Sequence, residues 1–413
     1  MPLLLKTIKI LPELFFLFFI PGWFTLLAAR RKGYLKAFSF GPDCLFPAFL
    51  ISFSYSSILG LALAQLGIFS VTLLATLGAV YSVGVYVVFR PHFESPFGRR
   101  SNRKGKSAAL ILSVIILLAG ILFLRPVKYI FGGWDPGVYA LTALTVERTG
   151  SPIVDDPVLE KLSAEEKEDY GRIHQAGYLE KYPGFRLGEE KTSRLIPQFY
   201  HLFSVLLAVA ASWSGPAGMF YFTPVIGLFS LFAFYHLLRE LWGRSTALIG
   251  VLLLAINMAE IWQARFPTTE MLGQFLMLSG LYLLAGYLNR KDPFTAVLAG
   301  LVLGTALLTH FSMLLMFAPL AVFFYCRWYL RFHREDIGFL IPFLVLALYS
   351  LFPHFILEDP RYLLSSIGNF SFRGISVPVY LCLILVAVIL IVIRLYPLRR
   401  RRLISRLVRD RRT

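Results

Sequence analysis

Two acids and one histidine carry the chemistry that this sequence offers. Asp135 follows the apolar run 108–124, Glu270 heads a later apolar run, and His310 separates two more. A carboxylate beside a membrane helix meets water on one side and lipid-borne substrates on the other, so it can accept a proton from a substrate. Two acids and one histidine on one face could also hold a divalent cation, Mg²⁺ or Mn²⁺.

Each of these residues also has a plain structural explanation. Asp-Pro and Pro-Gly are turn formers, so Trp134–Gly137 could be no more than a turn. Glu270 could simply interact with the positive end of the dipole of the helix that it begins, with Thr268 or Thr269 as the cap. A lone histidine at a helix end is more often a hydrogen-bonded interfacial residue than a ligand. The sequence alone leaves both explanations open.

Apolar runs must position these side chains. Of the 413 residues, 57% are apolar, and runs near the ~20 residues that cross a bilayer recur from end to end. The net charge of +17 collects in short loops and in the tail, where positive charge sets membrane topology instead of binding nucleic acid. The three cysteines show neither metal-ligand nor disulfide spacing. The sequence therefore predicts an all-α polytopic membrane protein.

The basic loops predict eleven spans, with the amino terminus outside and the carboxyl terminus in the cytoplasm. The apolar segment 197–212 is ambiguous, and we place it at the interface because every later basic loop then falls on the cytoplasmic side. The first apolar run has no small-residue cleavage site after it and is expected to be retained. The predicted spans are 10–29, 45–66, 69–89, 108–124, 218–238, 246–263, 270–288, 294–309, 313–329, 337–355 and 375–393.

The segment 125–196 forms a large outer loop in this topology. It mixes acids and bases nearly evenly, unlike the basic loops. Ser163 and the glutamates after it have the form of a helix start, and 139–147 also indicates helix. We therefore expect short interfacial helices on the outer surface.

Ionisable side chains at span ends gather on the predicted outer face. Such groups are costly in lipid, so they usually face a cavity or each other. Guanidinium groups bind phosphate bidentately and keep their charge, although ordinary surface arginines would look the same in sequence. The set consists of Asp135, Arg265, Glu270, His310, Arg361 and Arg373.

Four features follow one another along 108–315. They are an acid followed by a helix (Asp135, Tyr139, Ala143 and Gly150), an interfacial segment opened by Pro197–His201, a cytoplasmic turn at Leu238–Gly243, and Arg265–Glu270 heading the next span. In this order and spacing they resemble a GT-C superfamily membrane glycosyltransferase, in the branch of protein mannosyltransferases and lipid A aminoarabinose transferases.

The resemblance implies a hexosyl- or pentosyltransferase that uses a polyprenyl-phosphate-linked sugar and a lipid, glycan or protein acceptor. Asp135 would be the base on the acceptor hydroxyl or help to place it, and Glu270 would be the second catalytic acid. Attack at an anomeric carbon passes through an oxocarbenium-like state and needs positive groups on the departing phosphate. Arg265, Arg361 and Arg373 are the candidates for that role.

Substrate binding is expected to involve Tyr139, His201 and His310. The family often carries two adjacent acids in its first loop, whereas Pro136 follows Asp135 here, which weakens a metal-dependent mechanism. The expected location is the plasma (inner) membrane, with the active face extracytoplasmic. A transporter or lipid flippase, and a non-catalytic scaffold for envelope assembly, are the alternatives; transporters tend to show paired broken helices and charges near the bilayer midplane.

The expected organisation has four parts. They are an amino-terminal three-span extension (1–107), a GT-C-like catalytic core (108–315) that includes the outer loop, carboxyl-terminal spans (316–393) with an outer loop at 358–374, and a basic cytoplasmic tail (394–413).

Overall fold

The computed structural model describes the greater part of the chain, namely residues 2–32, 44–90, 103–130, 134–163, 165–166, 184–187, 193–197, 199–330, 333–356, 371–372 and 375–376. Helices dominate it. They are α1 (Pro2–Phe18), α2 (Ile20–Arg31), α3 (Leu45–Gln65), α4 (Val71–Phe89), α5 (Arg103–Phe123), α6 (Asp135–Thr149), α7 (Leu202–Gly218), α8 (Phe222–Trp242), α9 (Arg244–Ala255), α10 (Met258–Arg265), α11 (Glu270–Arg290), α12 (Pro293–Ala306), α13 (Phe317–Leu330) and α14 (Glu335–Ile356). Short 3₁₀ helices within the described residues include Leu159–Lys161, Met219–Tyr221 and Phe311–Met316.

Many of these helices could cross a bilayer, so the chain is a multi-span membrane protein, as predicted. The pair α9–α10 is bent by 63° and could be one broken span, and Ser107–Phe123 and Pro293–Ala306 are shorter apolar helices. The count of eleven spans is not confirmed and stays a prediction. Among the described residues, six helical stretches are long and apolar enough on their own: Ile10–Arg31, Leu45–Gln65, Val71–Phe89, Leu202–Trp242, Glu270–Arg290 and Phe311–Tyr329.

The direction of α8 and α11 follows from two side-chain contacts. Gln274 Nε2 donates to Ser230 Oγ at 2.9 Å, and Arg290 Nη1 donates to Glu240 Oε1 at 3.0 Å. The residue that lies later in α8 contacts the residue that lies later in α11, so the two helices are parallel. The bent pair α9–α10 returns the chain between them, which brings the start of α11 to the face where α8 also starts.

The helix α6 lies at the end of the bundle where α3 passes into α4. Gly150 ends α6 in the left-handed conformation at φ 78°, and its carbonyl accepts the N–H of Phe69 at 3.1 Å. A Cβ at position 150 would come within 3.1 Å of Gly67 O, so glycine allows the close approach. The predicted helix that ends at Gly150 is confirmed.

The helix α7 forms most of the segment whose placement the sequence left ambiguous. Both of its ends lie near the end of the bundle where α3 passes into α4. Val205, near the start of α7, packs beside Gly60 toward the end of α3. Trp213, near the end of α7, donates its indole N–H to Glu13 Oε2 at 2.8 Å, and the other oxygen of Glu13 accepts from Thr72 in the first turn of α4. This geometry favours the interfacial placement of α7.

A small sheet corrects the expectation that the outer loop consists of short helices. The strands β1 (Val154–Asp155) and β2 (Phe185–Leu187) both pair antiparallel with β3 (Arg194–Pro197). In β3 the buried residues alternate with more exposed ones, which is the period of a strand with one covered face. The helix start at Ser163 is confirmed, since Ser163 and Glu166 each accept the other's backbone N–H.

The last predicted span also begins differently from the expectation. A two-residue strand β4 (Ser371–Phe372) pairs with β5 (Ile375–Ser376), so the predicted span 375–393 starts as a strand. The rest of that span lies outside the described residues. The predicted domain boundaries stay predictions.

Candidate active site

Asp135 occupies the first position of α6. Trp134 before it is extended, at φ −131° and ψ 147°, and its carbonyl accepts the N–H groups of Gly137 and Val138 at 2.9 and 3.2 Å. Pro136 suits the first turn of a helix, where its missing N–H costs nothing. The Asp-Pro-Gly sequence is thus a helix start instead of an isolated turn. The positive end of the helix dipole faces the Asp135 carboxylate, and Asp135 is partly covered but keeps access to solvent.

Glu270 and His310 lie close enough to Asp135 to act on it electrostatically. Partial burial raises the pKa of the Asp135 carboxyl, the charge of Glu270 raises this pKa further, and His310 lowers it. Burial lowers the pKa of His310, against the raising effects of Glu270 and Asp135. The structure therefore brings together three of the side chains that the sequence placed on one face, and we call them the acid–histidine cluster.

Gly273 lets the segment around His310 approach the start of α11. A Cβ at Gly273, one turn after Glu270, would come within 2.6 Å of Met313 Cε and 3.4 Å of Thr309 Oγ1. His310 caps the 3₁₀ helix that follows it, because its Nδ1 accepts the N–H of Ser312 at 3.1 Å. A neutral imidazole in this arrangement carries its proton on Nε2 and can donate from there.

Thr269 stands at the cap position of α11, but its side chain makes no capping hydrogen bond. Thr268 Oγ1 also makes no hydrogen bond to any described residue, so the predicted capping by Thr268 or Thr269 is wrong. The first turn of α11 leaves Glu270 exposed to solvent at the positive end of the helix.

Arg265 holds the two acid-bearing segments together. Its Nε and Nη2 donate to the carbonyl of Leu122 at 2.8 and 2.6 Å, near the end of α5. Its own carbonyl accepts the N–H of Val127 at 2.9 Å. Arg265 thus closes the end of α5 and fixes the path toward Asp135. Its predicted contact with a donor phosphate stays a prediction, and Arg361 and Arg373 lie outside the described residues.

Tyr139 and His201 lie inside the protein, behind the acid–histidine cluster. The Tyr139 ring stacks on Phe199 at 5.0 Å between centroids and meets Phe203 edge-on at 5.3 Å. His201 immediately precedes α7, and both Tyr139 and His201 are buried. Their surroundings suit packing between α6 and α7, and their role in substrate binding stays a prediction.

Sequence reasoning missed Glu260, a buried acid in α10. Gln274 Nε2 donates to Glu260 Oε1 at 2.8 Å and to Ser230, which links α8, α10 and α11. The signal was present, since Asn257 followed three residues later by a glutamate resembles a capping pattern inside a predicted span. Asn257 does cap α10 through the N–H groups of Ala259 and Glu260.

No three His, Cys, Asp or Glu side chains within the described ranges stand close enough together to hold a metal ion. The Mg²⁺ or Mn²⁺ site that two acids and a histidine could form is thus not assembled by Asp135, Glu270 and His310. Comparison of the chain with protein-family models, curated proteins and solved structures finds no match. The resemblance to GT-C enzymes therefore rests on its sequence features and stays a prediction.

The small sheet supports the start of α6 through Gly184. Gly184 adopts φ +83°, and a Cβ there would overlap Val138 Cγ2 in the first turn of α6. Gly184→Ala is expected to destabilise the protein by about 1–3 kcal/mol more than Gly243→Ala, because only the former adds a steric clash. Gly243 shares the backbone strain, at φ +89°, but has open space around its Cβ. Thermal unfolding in detergent measures the difference, and equal losses would mean that the contact between Gly184 and Val138 does not contribute.

Proposed function

We propose that the protein is an integral membrane glycosyltransferase that moves a sugar from a polyprenyl-phosphate donor to a lipid, glycan or protein acceptor. The observation that carries the proposal is the acid–histidine cluster. A solvent-accessible but partly covered carboxylate at a helix start, on a multi-span protein, lies within electrostatic reach of a second carboxylate and an imidazole. The membrane face that bears it would be the extracytoplasmic one.

The reaction would begin with an acceptor hydroxyl beside Asp135. Its oxygen forms a bond to the anomeric carbon of the sugar while the bond from that carbon to the phosphate oxygen breaks. The hydroxyl proton passes to the Asp135 carboxylate, and polyprenyl phosphate leaves with the electron pair. Positive charge on the sugar ring develops as an oxocarbenium-like state, which the nearby carboxylate of Glu270 would stabilise.

The surroundings of Asp135 suit a base. A general base works best when its pKa lies near the working pH, and an ordinary aspartate, at about 3.9, is too acidic for that. Partial burial and the charge of Glu270 both raise the pKa of Asp135. The lowered pKa of His310 keeps its imidazole neutral near pH 7, so that it can donate a hydrogen bond from Nε2.

The pH dependence of transfer follows from these shifts. Transfer should rise with pH and be lost as the pH falls through the raised pKa of Asp135, so its acid limb should lie above the ordinary aspartate value of about 3.9. In Glu270→Gln the raising charge is gone, and the acid limb of the residual rate should move to lower pH. A pH–rate profile of both proteins tests this, and an unchanged or upward shift would contradict the coupling.

One observation favours a second candidate function, a transporter or lipid flippase. The pair α9–α10 is bent by 63°, and Glu260 is buried just beyond the bend. Broken helices and buried acids are features of transport pathways. If transport were the function, Glu260→Gln would abolish movement of substrate across vesicles. If transfer is the function, that variant would retain chemistry and lose stability instead.

The deciding experiment is sugar transfer by the purified full-length protein in detergent. It would use a panel of radiolabelled polyprenyl-phosphate sugars with extracted envelope acceptors, and Asp135→Asn as the reference variant. Label that moves to acceptor in the wild-type protein and not in the variant supports the proposal. Donor that binds and crosses vesicles without any loss of sugar, in a protein inactive with every acceptor, would favour the transporter.

A further inference from the structure

An apolar groove runs between α5 and α8 on the outside of the bundle. It has a volume of about 670 Å³, and its walls include Leu112, Gly120, Leu228 and Phe232. From Leu112 to Leu124 the groove follows α5 for about 18 Å, at 1.5 Å per residue. That is roughly half the thickness of a bilayer's hydrocarbon core. It is open toward the lipid, since the neighbouring side chains of Leu117 and Ile121 are largely exposed.

Gly120 creates space in the wall of this groove. A Cβ built at Gly120 would meet only the Leu124 side chain, at 3.8 Å, which is an ordinary contact. The backbone of α5 therefore tolerates a larger residue at 120. A longer side chain would extend into the groove, whose lining includes Gly120 itself.

The groove ends at a cation on the side of the acid–histidine cluster. Arg125 forms part of its lining and is exposed, and Lys128 follows three residues later in the chain. Within the ranges that the structure describes, no acid forms an ion pair with Arg125. The same end of α5 is held by Arg265, which leads directly into the segment before Glu270. A phosphate at Arg125 would thus lie at the end of the apolar groove, at the same end of the bundle as the acid–histidine cluster.

We propose that this groove binds the isoprenoid chain of polyprenyl phosphate, with its phosphate at Arg125. The proposal rests on the proposed glycosyltransferase and names where its lipid-linked donor and product bind. A long single apolar chain with a terminal anion matches a groove that is apolar along its length and cationic at one end. An ordinary anionic phospholipid carries the same kind of charge on two acyl chains instead of one long isoprenoid chain, so the competition experiment below must separate the two.

Photo-crosslinking of the full-length protein with diazirine-labelled polyprenyl phosphate tests the proposal. Crosslinks should map to α5 and α8, and Gly120→Leu should reduce them at least tenfold by filling the groove. The matched control is Gly84→Leu, since Gly84 on α4 has nothing within 4 Å of its Cβ and lies away from the groove. Arg125→Gln should weaken binding, whereas Arg148→Gln, an exposed arginine at the end of α6, should not.

The outcomes test lipid binding at the groove separately from sugar transfer. Crosslinks that persist in Gly120→Leu, or that anionic phosphatidylglycerol displaces as well as unlabelled polyprenyl phosphate does, would overturn the groove as the site. Asp135→Asn should still crosslink, because it removes chemistry and not the groove. Crosslinking at the groove with no transfer from any donor would instead overturn the glycosyltransferase and leave the lipid site standing.

Discussion

Asp135→Asn is expected to lower sugar transfer by about 10²–10⁴-fold, the contribution typical of a general base. Asparagine preserves the size of the side chain and can remain at the start of α6, but it cannot take the proton of the acceptor hydroxyl. Abundance in the membrane and thermal stability should therefore stay close to those of the wild-type protein. Transfer by purified protein and thermal unfolding in detergent measure the two effects separately.

A second aspartate in the same outer segment serves as the matched control. Asp155 in β1 pairs with Arg194 at 3.3 Å, and both side chains are more than half exposed, at 65% and 61%. Asp155→Asn makes the same chemical change without touching the acid–histidine cluster, so transfer should be retained. Full transfer in Asp135→Asn would remove Asp135 from the mechanism. Equal losses in both variants would indicate damage to the outer segment rather than loss of a base.

The sequence predicted the membrane class and most helices because their signals are local. A run of apolar residues, an acid next to proline, and a glycine at the end of a helix each act within a few residues. Asp135, Glu270 and His310 could be placed on one face for the same reason, since alternating spans allow only two faces. Their closeness within that face depends on Gly273 and on the direction of α8 and α11, which no local pattern contains.

The features that the sequence did not predict depend on contacts between residues that are far apart in the chain. The strands β2 and β3 are three and four residues long and gain stability only by pairing with each other and covering α6. The contact of Arg265 with the carbonyl of Leu122, 143 residues away in sequence, was not predicted either, because no local pattern contains it. Glu260 went unnoticed because its partner Gln274 lies on another helix.

A buried network at the other end of the bundle is expected to dominate stability. Asp336 is fully buried at the start of α14 and accepts hydrogen bonds from Tyr287 at 2.5 Å, Arg327 at 2.9 Å and Trp328 at 3.0 Å. These contacts join α11, α13 and α14. The carboxylate neutralises the Arg327 guanidinium, which is only 19% exposed. Removing one partner of a buried pair leaves the other charge without compensation.

Asp336→Ala is therefore expected to lower the free energy of unfolding by about 3–5 kcal/mol, measured by chemical denaturation in detergent. The matched control is Asp155→Ala, which breaks an exposed ion pair and should cost about 0–1 kcal/mol. Tyr287→Phe removes one donor and should cost about 1 kcal/mol. Added salt should shrink the small effect of Asp155→Ala and leave that of Asp336→Ala unchanged, because salt screens exposed charges far more than buried ones. Equal losses in the two aspartate variants would mean that burial of the Asp336–Arg327 pair adds nothing, and that packing alone holds α11, α13 and α14 together.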